Sequence, residues 1–243
     1  MATTQKHRMI AVNSVLGEDV FLFGRMTVKE QLSQLFECQL QLFSEKTNIQ
    51  LKDVLGTNMT VRLQLPYQQG VRYFNGLVTR FSYEGTRGPR FGVYRAELSP
   101  WLWFLTRTSD CRIFQNKTVP DIIKEIFREQ GLTDFKDALN GSYRQWEYCV
   151  QYRETDCNFV SRLMEQEGMY YYFTHEEGKH ILVLADGVGS HGEFPKYETV
   201  PYFPPDMHDH RERDHLSEWL IDQSVQPGTY VLNDYDFTAP RKS

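Results

Sequence analysis

Residues 143–174 read YRQWEYCVQYRETDCNFVSRLMEQEGMYYYFT, and the period of their hydrophobicity changes twice. At first Trp146, Tyr148, Val150 and Tyr152 alternate with Gln145, Glu147, Cys149 and Gln151, the period-two pattern of a strand with one apolar face. The alternation stops at Glu154-Thr155-Asp156, where Thr155 or Asp156 can offer a side-chain oxygen to the free amides of a first helical turn. Phe159, Val160, Leu163 and Met164 then share one helical stripe, with Asn158, Ser161, Arg162, Glu165 and Gln166 opposite. Gly168 closes the helix by entering the left-handed region that commonly follows one. Beyond it Met169, Tyr171 and Phe173 face one way and Tyr170, Tyr172 and Thr174 the other, which predicts an interior strand with apolar neighbours on both sides.

The residues before this unit are poorer in helix signals. Phe36, Cys38, Leu40 and Leu42 alternate with polar residues, as do Met59, Val61, Leu63 and Leu65. Further strands are expected at Val20 to Met26, Val71 to Asn75, Leu77 to Tyr83 and Phe91 to Leu98, with turns at Pro66 to Gly70 and Gly85 to Pro89 and a helical turn at Leu51 to Gly56. Several short strands without a long helix predict an antiparallel barrel or sandwich. Pro100 ends the region, and the unbroken cluster Trp101 to Leu105 is either core plugging one end of a barrel or an interface anchor; core is favoured. Thr118-Val119-Pro120-Asp121 opens a helix whose buried stripe is Ile122, Ile123, Ile126 and Phe127, with Gly131 at its end.

Downstream, a hairpin joins Tyr170–Phe173 through Glu176-Glu177-Gly178 to Ile181–Ala185. Residues Gly187 to Arg213 read as a long exposed loop interrupted by prolines and glycines. Strand pattern returns at Leu216 to Val225 and at Thr229 to Phe237.

Composition bounds the function classes. The 243 residues are 40% hydrophobic and 14% aromatic with a formal net charge of −5, which fits a folded β-rich protein and argues against a nucleic-acid partner, since no broad basic field is present. Cys38, Cys111, Cys149 and Cys157 show no C-x-x-C spacing and read as reduced thiols. The N-terminus lacks a signal-peptide core, and no stretch approaches the roughly 18 apolar residues of a membrane span. A protein made in the cytosol is expected.

Three runs together resemble the spike protein of type VI secretion, the VgrG family, similar in fold to the tail hub of contractile bacteriophages. They are CVQYRETDCNFVSRLMEQEGMYYYF from Cys149, LSPWLWFLTRTSDCRIFQNKTVPDIIKEIF from Leu98, and QPGTYVLNDYDF from Gln226. They follow the family's order, and the resemblance extends over nearly the whole chain. It implies a mainly β, α+β fold: a tail-hub β-barrel over 1–110, a middle α/β portion over 111–190, and a long loop with the first strands of a second barrel over 191–243. It implies a homotrimer whose paired barrels give a pseudo-sixfold base, matched to a hexameric tube ring of the Hcp type and to the baseplate. It further implies a needle carrying a PAAR-type tip protein and effectors, and export into target cells by a contractile machine without a cleavable signal, the membrane being only what is punctured. The hub would continue beyond Ser243, so a piece of a longer protein is expected. A contractile-phage tail hub is the close alternative.

Chemistry-bearing clusters are few. His175 and His180 flank Glu176-Glu177-Gly178-Lys179, but a zincin needs histidines four apart on a helix, so a solvated hairpin turn is the expected reading. His208, His210 and His215 sit among carboxylates at Met207 to His215 and are the residues a secreted metal-dependent hydrolase would use, with zinc or nickel as the metal; a hydrated mixed-charge loop is favoured. No G-x-S-x-G elbow or phosphate-cradling glycine loop occurs. The aromatic surplus is assigned to core in preference to a sugar-stacking surface. No catalytic, cofactor or metal residue is therefore named, and a non-enzymatic structural protein is expected.

Overall fold

In the computed structural model, residues 3–65, 70–192, 197–204 and 214–231 are described. The chain divides into two units, residues 1–191 and 192–243.

The alternating segments of the first unit form strands β1 (Ile10–Ser14), β2 (Leu22–Lys29), β3 (Glu37–Ser44), β4 (Asn58–Gln64), β5 (Val71–Arg87) and β6 (Phe91–Ser99). They pair antiparallel in the order β1-β4-β5-β6-β3-β2. The sheet curls until β1 and β2 touch without sharing a ladder, giving a half-barrel. Its concave face holds the alternate apolar residues read from the sequence: Cys38, Leu40 and Leu42 of β3, Met59 and Val61 of β4, and Val78 and Phe81 of β5 are buried together with Phe21 and Tyr94. Each fully buried large side chain of this set contributes about 1.5–3 kcal/mol.

Three expectations change here. β1 was not foreseen. The two strands expected over Val71–Asn75 and Leu77–Tyr83 are one 17-residue strand. Gly76 pairs with Met59 within it, at a place where a Cβ would meet Leu98 Cβ at 2.9 Å. The turn expected from Gly85 instead begins after Arg87, because Gly85, at φ +112°, is taken up in a register shift of the β5–β6 ladder.

A second core follows. Trp101, Leu102 and Leu105, in a 3-10 helix over Trp101–Thr106, are buried core, as favoured from the sequence. They pack with β7 (Ser109–Phe114), helix α1 (Val119–Glu129) and helix α2 (Asp156–Glu167), because the apolar stripes of both helices converge there. Both helix openings are as read. Thr118 Oγ1 accepts from Asp121 N at 3.4 Å and Thr155 Oγ1 from Asn158 N at 3.1 Å, and Gly168 closes α2 at φ +71°.

The remaining strands are β8 (Lys117–Thr118), β9 (Phe135–Asp137), β10 (Gln145–Trp146), β11 (Cys149–Thr155), β12 (Tyr170–Glu176) and β13 (Lys179–Ala185). The run Gln145–Tyr152 is thus two strands with different partners, β10 on β8 and β11 on β7. Its buried face is Cys149 and Gln151, while Tyr148 and Tyr152 are 54% and 64% exposed. Of the expected apolar face, Trp146 is half-buried against the second core, but Tyr148 and Tyr152 turn outward; in β11 the inward position goes to Gln151, beside Asp156. Strand β12 is an edge of the sheet β12-β13-β9 and not interior to it; beyond its ladder, Tyr171 O accepts from Ser33 N at 2.8 Å.

In the second unit, the described residues form one parallel bridge, Tyr202 to Leu216. The strand expected over Leu216–Val225 is absent there, since an alternating pattern becomes a strand only beside a ladder partner. Residues 232–237 of the last expected strand lie outside the described residues.

Candidate functional site

The β12–β13 hairpin turns at Glu177-Gly178, with Gly178 at φ +77°. A two-residue turn places residues five apart directly opposite each other on one face. His175 therefore faces His180, with ring centroids 6.3 Å apart. The two histidines do not sit in a solvated turn. His180 is 3% exposed, and Phe36 of the half-barrel lies edge-on to both rings.

Every ring nitrogen has a job. Trp101 N donates to His180 Nε2 at 2.8 Å. With that nitrogen an acceptor, Nδ1 carries the proton and donates to Asn75 Oδ1 at 2.8 Å. Asn75, buried in β5, donates through Nδ2 to Asn58 Oδ1 and Thr60 Oγ1, both at 2.7 Å. His175 Nδ1 accepts from Asn75 N at 3.0 Å, and its Nε2 meets Glu30 Oε1 at 2.9 Å. One asparagine thus joins two strands of the half-barrel, β4 and β5, to the hairpin, and His180 extends the chain of bonds to the start of the Trp101–Thr106 helix.

The electrostatics follow from burial. Removal from water holds the His180 imidazole neutral, with its pKa lowered to about 3, helped by the neighbouring His175. Glu30 is held below the usual carboxylate range, chiefly by its hydrogen bond with His175. Such a network stiffens the junction because each member, once buried, costs about 1–3 kcal/mol if left unpaired. It leaves no imidazole nitrogen of His180 free for a metal.

A second buried knot sits between β7, β11 and α2. Asp156, at the start of α2 and 1% exposed, accepts from Arg112, from Thr108 Oγ1 at 2.7 Å and from Gln151 Nε2 at 2.8 Å. Arg112 Nε donates to Gln151 Oε1 at 2.9 Å, and its Nη1 reaches Glu129 of α1 at 2.5 Å. The carboxylate also lies at the positive end of its helix. Nearby, the bulge between Gln151 and Glu154 puts Arg153 at φ +52°.

Among the described residues, no group of three or more His, Cys, Asp or Glu is placed to hold a metal. His208 and His210 lie outside the described residues; His215 is described, its ring edge-on to Phe203 at 5.6 Å. The four cysteines are free thiols, and burial pushes that of Cys38 up to about 12. Among the described residues no helix is long and apolar enough to cross a membrane. The arrangement couples a sheet rigidly to an α/β body through satisfied hydrogen bonds.

Sequence reasoning missed this junction. The five-residue spacing of His175 and His180 and the hairpin between them were legible, but the expected reading was a solvated turn, whereas across a two-residue turn that spacing makes a facing pair. Nothing local marks Asn75 or Trp101 as their partners.

A half-barrel coupled to a two-helix α/β portion is the architecture of a tail hub, a class of assembly protein. The chain belongs to the phage tail baseplate hub (GPD) family, whose model matches residues 29–243. It is 52% identical over 240 residues to the type VI secretion system spike protein VgrG1c of Pseudomonas aeruginosa, covering 99% of this chain and 33% of that relative. It is 36% identical over 167 residues to the actin cross-linking toxin VgrG1 of Vibrio cholerae, covering 69% of this chain and 15% of that one. Among solved structures it is similar to a component of the type VI secretion system of E. coli described as structurally similar to the T4 bacteriophage tail proteins gp27 and gp5, with TM-score 0.63 and 25% identity over 80% of this chain and 52% of that one. The chain thus spans about a third of the length of its Pseudomonas relative.

Proposed function

We propose that this chain is the hub portion of a type VI secretion spike, a structural part without an enzymatic reaction of its own. The observation that carries this reading is the likeness at 52% identity, across 99% of the chain, to a spike protein of that system. The satisfied junctions between sheet and α/β portion support it, because a part that transmits thrust needs fixed geometry and buried anchors, with no tuned nucleophile.

In this reading three copies form the hub, their base matches a hexameric Hcp-type tube ring, and the baseplate holds them before firing. A PAAR-type tip and effectors ride on the remainder of the spike, and the assembly leaves the cytosol through the contractile machine. The division into a first barrel, a middle α/β portion and a second barrel begun after residue 190 belongs to the same proposal. The toxin among the relatives is consistent with it, since that match covers only 15% of the toxin.

The experiment that tests the proposal is electron microscopy of the chain mixed with Hcp-type tube protein. Trimeric caps seated coaxially on tube ends are expected. A chain that leaves tube ends bare under conditions where tubes form would sink the proposal, as would stoichiometric zinc bound by His208, His210 and His215 together with hydrolytic activity.

A further inference from the structure

Side chains two apart on a strand share a face. Tyr171 and Phe173 of β12 belong to the second core, so Tyr170 and Tyr172 point to the opposite side. What they hold there is residues 187–191, the last of the first unit, wound into a 3-10 turn over Val188–Ser190. Tyr170 Oη donates to Gly187 O at 3.0 Å, and Tyr172 Oη donates to Ser190 O at 3.3 Å. The single hydrogen of the Tyr170 hydroxyl is then used, so its oxygen accepts from His191 Nε2 at 2.6 Å. The His191 ring stacks on both tyrosines, with centroids 5.6 Å from Tyr170 and 4.9 Å from Tyr172 and planes inclined by 18° and 26°. From the other side Ser190 Oγ donates to Ala138 O at 2.8 Å and accepts from Asn140 Nδ2 at 3.1 Å.

Every one of these attachments runs through a side chain. The backbone bonds made by the N–H groups of the strap stay inside it, Ser190 N donating to Gly187 O at 3.0 Å and His191 N to Val188 O at 3.1 Å. No apolar side chain pins it either, since Val188 is 90% exposed and Gly187 and Gly189 carry none. The residue just before the strap is held differently. The Asp186 carboxylate accepts from Asn140 N at 2.9 Å, Gly141 N at 2.7 Å and Tyr143 Oη at 2.8 Å. A segment without ladder bonds or buried apolar contacts opens locally while the structure beneath it stays folded.

We infer that residues 187–191 are a latch, hinged at Asp186 and closed on the outer side of β12 by the Tyr170 and Tyr172 hydroxyls and the His191 ring. When it is closed, the chain leaves the first unit at His191. When it is open, the chain leaves at Asp186, and five residues, about 17 Å of extended chain, are added to the tether that follows. The pair Tyr170 and Tyr172 thus has a task separate from that of Tyr171 and Phe173 in the same run: it sets the length of that tether.

The test is amide exchange of the full chain, read by mass spectrometry on peptides covering residues 187–192 and residues 170–185, with thermal unfolding alongside. His191→Ala removes the stack and its bond. Tyr170→Phe keeps the ring and removes the hydroxyl, and so serves should the first variant fail to fold. Each is expected to speed exchange of the Ser190 and residue 191 amides by about tenfold or more, with the β12 and β13 amides and the Tm at wild-type values. Wild-type protection of the strap in both variants overturns the inference, as does a wild-type strap that already exchanges at the rate of unstructured chain. Faster exchange of the β12–β13 ladder together with the strap also overturns it, since the strap would then be part of the hairpin and not a latch upon it.

Discussion

The buried imidazole of His180 gives the sharpest test of the junction. Its ordinary pKa is 6.5 and the fold lowers it to about 3. Above pH 6.5 both folded and unfolded chains hold the ring neutral, and the full stability is present. As pH falls below 6.5 the unfolded chain takes up a proton that the folded chain refuses, so stability drops, and it continues to drop until the folded pKa is reached. At about 1.36 kcal/mol per pH unit, the loss between pH 6.5 and pH 4.5 is roughly 2.7 kcal/mol from this one ring. Carboxylates titrate over the same range, so the measurement is a double difference: urea unfolding of wild type and His180→Gln at pH 7.5, 6.5, 5.5 and 4.5. The variant is expected to be the less stable at pH 7.5, because one of its two buried partners, Trp101 N or Asn75 Oδ1, loses its bond. The gap should then narrow by about 2–3 kcal/mol on going to pH 4.5. Parallel curves, with the gap constant across that range, would refute the assignment of His180 as a buried neutral bridge.

Other substitutions follow from particular contacts. Gly76→Ala drives a methyl against Leu98 Cβ and Phe36 and should cost about 1–3 kcal/mol in denaturant unfolding. Gln151→Leu strips partners from Asp156 and Arg112 and should cost about 1–3 kcal/mol, whereas Tyr152→Ser, on the exposed side of the same strand, should stay within about 0.5 kcal/mol; equal effects would restore the aromatic face to the core. Native labelling with a thiol reagent should modify exposed Cys111 rapidly and leave buried Cys38 and Cys149 protected, read by mass spectrometry of the digested protein.

Local physics made much of this chain readable. Thr118, Thr155, Pro120 and Gly168 fixed both helices because capping depends only on residues within a turn of the helix end. The alternation at Cys38–Leu42 and Met59–Val61 announced a sheet with one buried face because side chains in a strand must alternate. The family, too, was legible in three ordered runs. What the residues alone did not decide was which partner each strand would find. β11 sets Gln151 inward beside Arg112 and Asp156, over thirty residues before it and close after it, while Tyr148 and Tyr152 turn outward. β1 was missed because its short run has no outer strand, and its edge is completed by the side chain of Gln5. His175 and His180 became a buried pair only when β5 brought Asn75 against the hairpin. Pairing, register and the satisfaction of buried polar groups join residues more than a hundred positions apart, and no periodicity within a single stretch carries that information.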